Sequence, residues 1–172
     1  ARALGISAEI LDPGQAALLD PNVRMNIAGA IYYPKDCHLI PGRLMEALKQ
    51  RLEQLNVRIV CDTAVTGWRV EDGKIEAAKT SNAEFRADEY VLCGGCWSSS
   101  LVRDLQLKLP MQAGKGYSLT LNNPRQLPSI CAIFAEARVA VTPMGSALRF
   151  GGTMEIAGLN EAISWRRVYG II

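Results

Sequence analysis

Ala87-Asp88-Glu89-Tyr90-Val91-Leu92-Cys93-Gly94-Gly95-Cys96-Trp97-Ser98 is the stretch whose reading decides the fold. A polar approach runs into a short apolar strand, two glycines break it, and a serine run opens a helix expected over Ser98 to Leu105. Strand, tight glycine turn and helix start form the local geometry in which backbone N–H groups can approach an anionic ligand. The same letters spell Cys-x-x-Cys, a redox or metal signature. A redox pair needs its first cysteine exposed at a helix N-terminus, whereas Cys93 closes an apolar strand expected to be buried. A zinc site needs two further ligands, and the chain offers only adjacent Cys37 and His38 plus isolated Cys61 and Cys131. The context therefore favours Cys93 and Cys96 as small buried apolar residues flanking the turn, with no metal bound.

Outward from that motif, the preceding residues alternate between strand and turn signals. Val65 to Val70 and Lys74 to Thr80 flank Glu71-Asp72-Gly73, whose Asp-Gly predicts a hairpin. Val57 to Cys61 reads as a buried strand. Before it, Leu44, Met45, Leu48, Leu52 and Leu55 recur at helical spacing from Pro41 onward, predicting an amphipathic helix that lies on a sheet. Asp12 and Pro13 suit a helix start, and Ala28 to Pro34 a strand feeding a polar loop that carries His38. Beyond Pro110, Gly116–Leu121, Ile130–Ala135, Val139–Pro143 and Ala147–Thr153 read as strands separated by turns. The expected class is α+β, with an antiparallel or mixed sheet dominating the second half.

The chain has 172 residues, 49% apolar and 21% charged, with a net charge of +2. That suits one domain or two small lobes. Lysines and arginines are scattered, so no nucleic-acid partner is expected. No apolar run reaches transmembrane length. Five cysteines, an odd number, point to reduced thiols and a cytoplasmic setting. The first residue is not Met and the last residues carry no closing signal, so the chain is expected to be a piece of a longer protein. His38, the one histidine, is open to two roles: a solvated loop residue or part of a pocket lining.

Taken in order, Gly29 to Pro41, Val65 to Trp68, Ala87 to Ser98, Gln112 to Ser118 and Phe150 to Glu155 resemble the FAD-dependent D-amino-acid oxidase/dehydrogenase family. Its bacterial D-amino-acid dehydrogenases and glycine oxidase-like enzymes are the nearest in pattern. The family's N-terminal glycine fingerprint and its C-terminal glycine and arginine segments have no counterpart here. Ile40 stands where relatives carry a capping Asp. The resemblance implies a substrate domain with a mostly antiparallel sheet and flanking helices, plus an incomplete portion of the FAD-binding domain. It divides the chain into residues 1–56 (substrate-domain start and the helix entering the FAD-domain portion), 57–105 (inserted FAD-domain portion) and 106–172 (substrate-domain sheet).

The resemblance further implies cofactor contacts at Val65, on the adenine side of FAD, and at Gly94, Gly95 and Trp97 near the nucleotide and phosphates. Thr153 and Met154 fall near the flavin, and Tyr32, Tyr33 and His38 border the substrate. The implied chemistry is hydride transfer from the Cα of a D-amino acid to flavin N5, giving an imine, then keto acid and ammonia. The piece alone is expected to be inactive and to hold FAD weakly or not at all. Two alternatives stand beside this: a glycine or sarcosine oxidase of the same fold, and a non-catalytic binding or dimerisation module with redox-active cysteines. A homo-oligomer is left open, as is a peripheral inner-membrane location for the full-length protein.

Overall fold

Asp12 and Pro13 do start a helix. The Asp12 carboxylate accepts the Gln15 N–H at 2.8 Å, and the Gln15 side-chain oxygen accepts the Asp12 N–H at 3.0 Å. This reciprocal cap satisfies two N–H groups that the helix itself leaves free. The computed structural model describes residues 2–172. In chain order the first elements are β1 (Glu9–Leu11), α1 (Pro13–Leu19), β2 (Ala30–Tyr32), α2 (Pro41–Gln54), β3 (Val65–Glu71), β4 (Lys74–Thr80) and β5 (Glu84–Phe85). Then follow α3 (Ser98–Leu101), β6 (Lys115–Asn122), β7 (Ala132–Phe134), β8 (Val139–Met144), β9 (Ala147–Glu155) and α4 (Trp165–Tyr169). The class is α+β, and the strand pairs β1–β2, β3–β4, β4–β5, β7–β8 and β8–β9 are antiparallel.

The chain divides into two compact units. The first comprises Ala1–Lys49, Gly116–Glu155 and Ala162–Ile172; the second comprises Gln50–Lys115 and Ile156–Glu161. The first unit contains a four-stranded sheet of order β6-β9-β8-β7. Val139, Val141 and Pro143 alternate with less buried neighbours along β8, the period-2 pattern of a strand with one covered face. Leu148 lies opposite Pro143, and Phe150 opposite Val141. Val139, Val141 and Leu148 form a small core, with Leu127, Phe134, Phe150 and Ile171 packed around it. Asp20, at the end of α1, is 1% exposed. Its Oδ2 accepts the Ser129 N–H at 2.9 Å and the Ile130 N–H at 3.4 Å.

The second unit is organised by the β3–β4 hairpin. Asp72 and Gly73 both have positive φ, 49° and 74°, the geometry that matches the twist of paired strands and that Asp-Gly adopts at little cost. Ala77 and Ala78 on β4 are its buried apolar residues. Tyr90 fixes the chain after β5: its hydroxyl accepts the Ala87 N–H and donates to the Glu76 carbonyl, each at 3.0 Å.

Several expectations need correction. Among the described residues, Val57 to Cys61 and Tyr90 to Cys93 form no strand and belong to no ladder; a strand exists only where a neighbour takes its hydrogen bonds. Val57, Ile59 and Val60 are 41–46% exposed, and Val91 is 84% exposed. α2 has the predicted extent but buries no residue; its leucine and methionine stripe is 40–63% exposed. The helix expected over Ser98 to Leu105 splits into the four-residue α3 and a 3-10 turn at Arg103–Leu105, and no serine side chain caps it. The chain exposes 13748 Å², well above the roughly 8,300 Å² that a folded monomer of this length exposes.

Candidate functional site

Within the second unit, one apolar groove of about 390 Å³ brings together segments distant in sequence. Val65, Trp68 and Ala78 come from the hairpin, Tyr90 to Gly94 from the segment entering the glycine turn, and Leu101 from α3. Trp68 holds these parts in register. Its indole N–H donates to the Leu101 carbonyl at 2.8 Å, and its ring meets Tyr90 edge-to-face at 5.7 Å. The segments before and after the glycine turn are thus tied to one another through Trp68 of the hairpin, which meets Tyr90 on one side and Leu101 on the other. Trp68→Phe keeps a ring but loses the donor and part of the packing. We expect a loss of about 1–2 kcal/mol of stability in urea unfolding, and an unchanged midpoint would show that the tie carries no energy.

The turn itself favours its glycines. A Cβ on Gly94 would lie 3.1 Å from Ser98 Oγ, and Gly95 has φ +53° with open space where a Cβ would stand. A left-handed backbone beside open space leaves a bare strip of chain that a flat or anionic group can approach closely. The helix-start part of the expectation does not hold. Gly95–Trp97 is a 3-10 turn, Trp97 rather than a serine stands at the cap of α3, and α3 is a single turn. Charge lies outside the groove, where Arg69 donates to Glu84 at 3.1 Å and pairs with Glu71. Burial alone would lower the Arg69 pKa; the two carboxylates outweigh it and hold it above its ordinary value.

Of the residues singled out in the sequence, the structure gathers Val65 and Gly94 into this groove. Gly95 and Trp97 continue the chain beyond its wall, with Trp97 58% exposed. Thr153 and Met154 lie near the end of β9 in the first unit. Tyr32 ends β2. Tyr33 lines a second, shallow groove with Gly5, Ile6, Ser7, Lys35 and Asp36, which neither Tyr32 nor His38 joins. His38 is an exposed loop residue. Cys93 is exposed and Cys96 intermediate, both as free thiols. The expectation of buried fillers fails because the strand that would cover Cys93 is not formed.

Sequence reasoning placed no role on Tyr90 or Asp20, nor on the polar cluster of Tyr117, Glu155 and Arg167. The alternation along Lys115–Asn122 places Tyr117 on an inward face, and that was the one signal available for it. No helix among the described residues is long and apolar enough to cross a membrane.

Comparison with known proteins extends this picture. A family model described as FAD dependent oxidoreductase matches residues 1–171. A D-amino acid dehydrogenase of Vibrio atlanticus (strain LGP32) is 31% identical over 172 residues, covering 95% of this chain and 40% of that protein. A D-amino acid dehydrogenase of Methylobacterium sp. (strain 4-46) is 33% identical over 171 residues, covering 94% and 40%. Among solved structures, glycine oxidase from Bacillus cereus ATCC 14579 superposes with a TM-score of 0.79 at 24% identity, over 99% of this chain and 49% of that one. L-proline dehydrogenase from P. horikoshii superposes with a TM-score of 0.83 at 15% identity, over 99% and 47%. These two likenesses establish the fold. The chain spans about 40% of the length of the curated relatives it matches.

Proposed function

The chain belongs to the FAD-dependent oxidoreductase family, and on that premise we propose that the protein carrying it oxidises D-amino acids. The observation that supports this most directly is the meeting of Val65 and Gly94 in one apolar groove. The residue types there fit the nucleotide end of FAD. Val65, Val91 and Leu92 offer apolar edges for a flat ring, and the glycine turn keeps backbone bare for close approach. No charged side chain of the groove wall repels a phosphate.

In this reading residues 57–105 are the inserted share of the FAD-binding domain, while 1–56 and 106–172 build the substrate domain. Val65 meets the adenine side, Gly94, Gly95 and Trp97 the nucleotide and phosphates, and Thr153 and Met154 the flavin. Tyr32, Tyr33 and His38 border the amino acid. The chemistry that flavin supplies when bound is acceptance of the hydride leaving Cα, after which the imine hydrolyses to a keto acid and ammonia. The chain's own residues bind and orient.

The test is an assay of the protein extended to the length of its relatives. It should purify yellow, and its flavin should bleach anaerobically with D-alanine, but not with glycine or sarcosine. Bleaching by glycine or sarcosine in place of D-alanine would move the substrate class while keeping the family chemistry. Residues 1–172 alone should bind FAD weakly or not at all, so stoichiometric flavin on that chain would overturn this part.

A further inference from the structure

We propose that Tyr117, Glu155 and Arg167 are positioning residues, which hold the Thr153–Met154 end of β9 where it meets the flavin. This rests on the assignment of Thr153 and Met154 to the flavin side. Here three successive residues are each pinned by side chains or backbone from elsewhere in the first unit. Glu155 Oε1 accepts the Tyr117 hydroxyl at 2.8 Å, and its Oε2 accepts Arg167 Nε–H at 2.9 Å. Arg167 Nη1 donates to the Met154 carbonyl at 2.8 Å. The Thr153 hydroxyl donates to the Arg167 carbonyl at 3.1 Å. The Tyr117 hydroxyl also accepts the Ser164 N–H at 3.1 Å, which ties in the residue before α4.

The cluster is short-range and charge-assisted, shielded on the Tyr117 and Glu155 side and open to water at Arg167, whose side chain is 41% exposed. Tyr117 is 8% exposed, and the Glu155 side chain 15%. Hydrogen bonds to ionised groups are shorter and stronger than neutral ones, and using both carboxylate oxygens fixes the rotation of Glu155. Apolar packing of Ile171 on the Val139, Val141 and Leu148 core holds the chain just after α4, while the polar contacts reach the last three residues of β9 beside it. The contacts also converge on one place. The Met154 carbonyl is held while its side chain remains 66% exposed. Met154 stands on the outward-facing alternate of β9, between half-buried Thr153 and Glu155, so the held backbone presents an open side chain on that face.

The test reads Met154 separately from overall stability. In residues 1–172 carrying methyl-13C methionine, the Met154 resonance is assigned by its loss in Met154→Leu. Arg167→Lys keeps the charge but loses the fork that reaches both Glu155 and Met154; Tyr117→Phe removes only the hydroxyl. Both variants should shift or broaden the Met154 methyl while the Met45 and Met144 signals and the far-ultraviolet circular dichroism stay as in wild type. An unaltered Met154 signal in both variants overturns the proposal.

A second arm uses the protein at full relative length with its flavin bound. Arg167→Lys should lower kcat about tenfold with KM within about twofold, the signature of misplacement during chemistry. An unchanged kcat overturns the proposal. Met154→Leu should alter the bound-flavin absorption spectrum. If it does not, while Arg167→Lys still disturbs the Met154 methyl, the assignment of Met154 to the flavin fails and the positioning role falls with it.

Discussion

Asp20→Ala is expected to cost about 3 kcal/mol of stability, read as a lower midpoint in urea unfolding of the chain. Asp20 is 1% exposed, and its Oδ2 is the acceptor for the Ser129 and Ile130 N–H groups across more than a hundred residues of sequence. Hydrogen bonds to a charged acceptor contribute about 1.5–3 kcal/mol each. The bond at 3.4 Å is long and adds little, so the total stays near the value of one strong bond. Against this stands Oδ1, which is buried with no partner among the described residues and already lowers the net gain. Asp20→Asn keeps an acceptor oxygen and should cost about 1 kcal/mol or less. Equal losses in Ala and Asn would mean that charge, not the acceptor, holds the Ser129–Ile130 segment. A midpoint that does not move in Ala would remove the latch altogether.

Leu148→Ala should cost about 3 kcal/mol, within the range for emptying a packed leucine site. Leu148 is 7% exposed and is one of three residues that form the core of the first unit. The same substitution at Leu48 makes the control. That side chain removes equal volume, but it is 48% exposed on a helix that buries nothing. Leu48→Ala should therefore change stability by about 0.5 kcal/mol or less, helped by the high helix propensity of alanine. Similar losses at the two leucines would show that the α2 stripe is covered in solution.

Sequence reading succeeds wherever the determinant is local. Asp12-Pro13, the Asp72-Gly73 hairpin and the leucine spacing of α2 each fit the elements found, because a cap, a turn or a period is set within a few residues. It falls short where the partner is remote. Val57 to Cys61 and Tyr90 to Cys93 have strand composition, yet composition supplies only one side of a ladder, and among the described residues neither segment pairs in one. The exposure of Cys93 follows from that missing pairing.

The candidate site divides in the same way. The pattern of motifs placed Val65 and Gly94, now found lining one groove. The Trp68–Tyr90 tie and the Tyr117–Glu155–Arg167 cluster join positions 12 to 38 residues apart and leave no periodic trace. Asp20 is farther still from Ser129.

The uncovered stripe of α2 and the two unpaired segments also bear on how the chain responds to solvent. Denaturant sensitivity and the heat capacity of unfolding both scale with the surface newly wetted when a chain opens. A chain whose helix stripe and strand-like segments already face water has less left to wet than a compact chain of its length. Its unfolding is therefore expected to show a shallower slope in urea and a smaller heat-capacity step than that compact chain would.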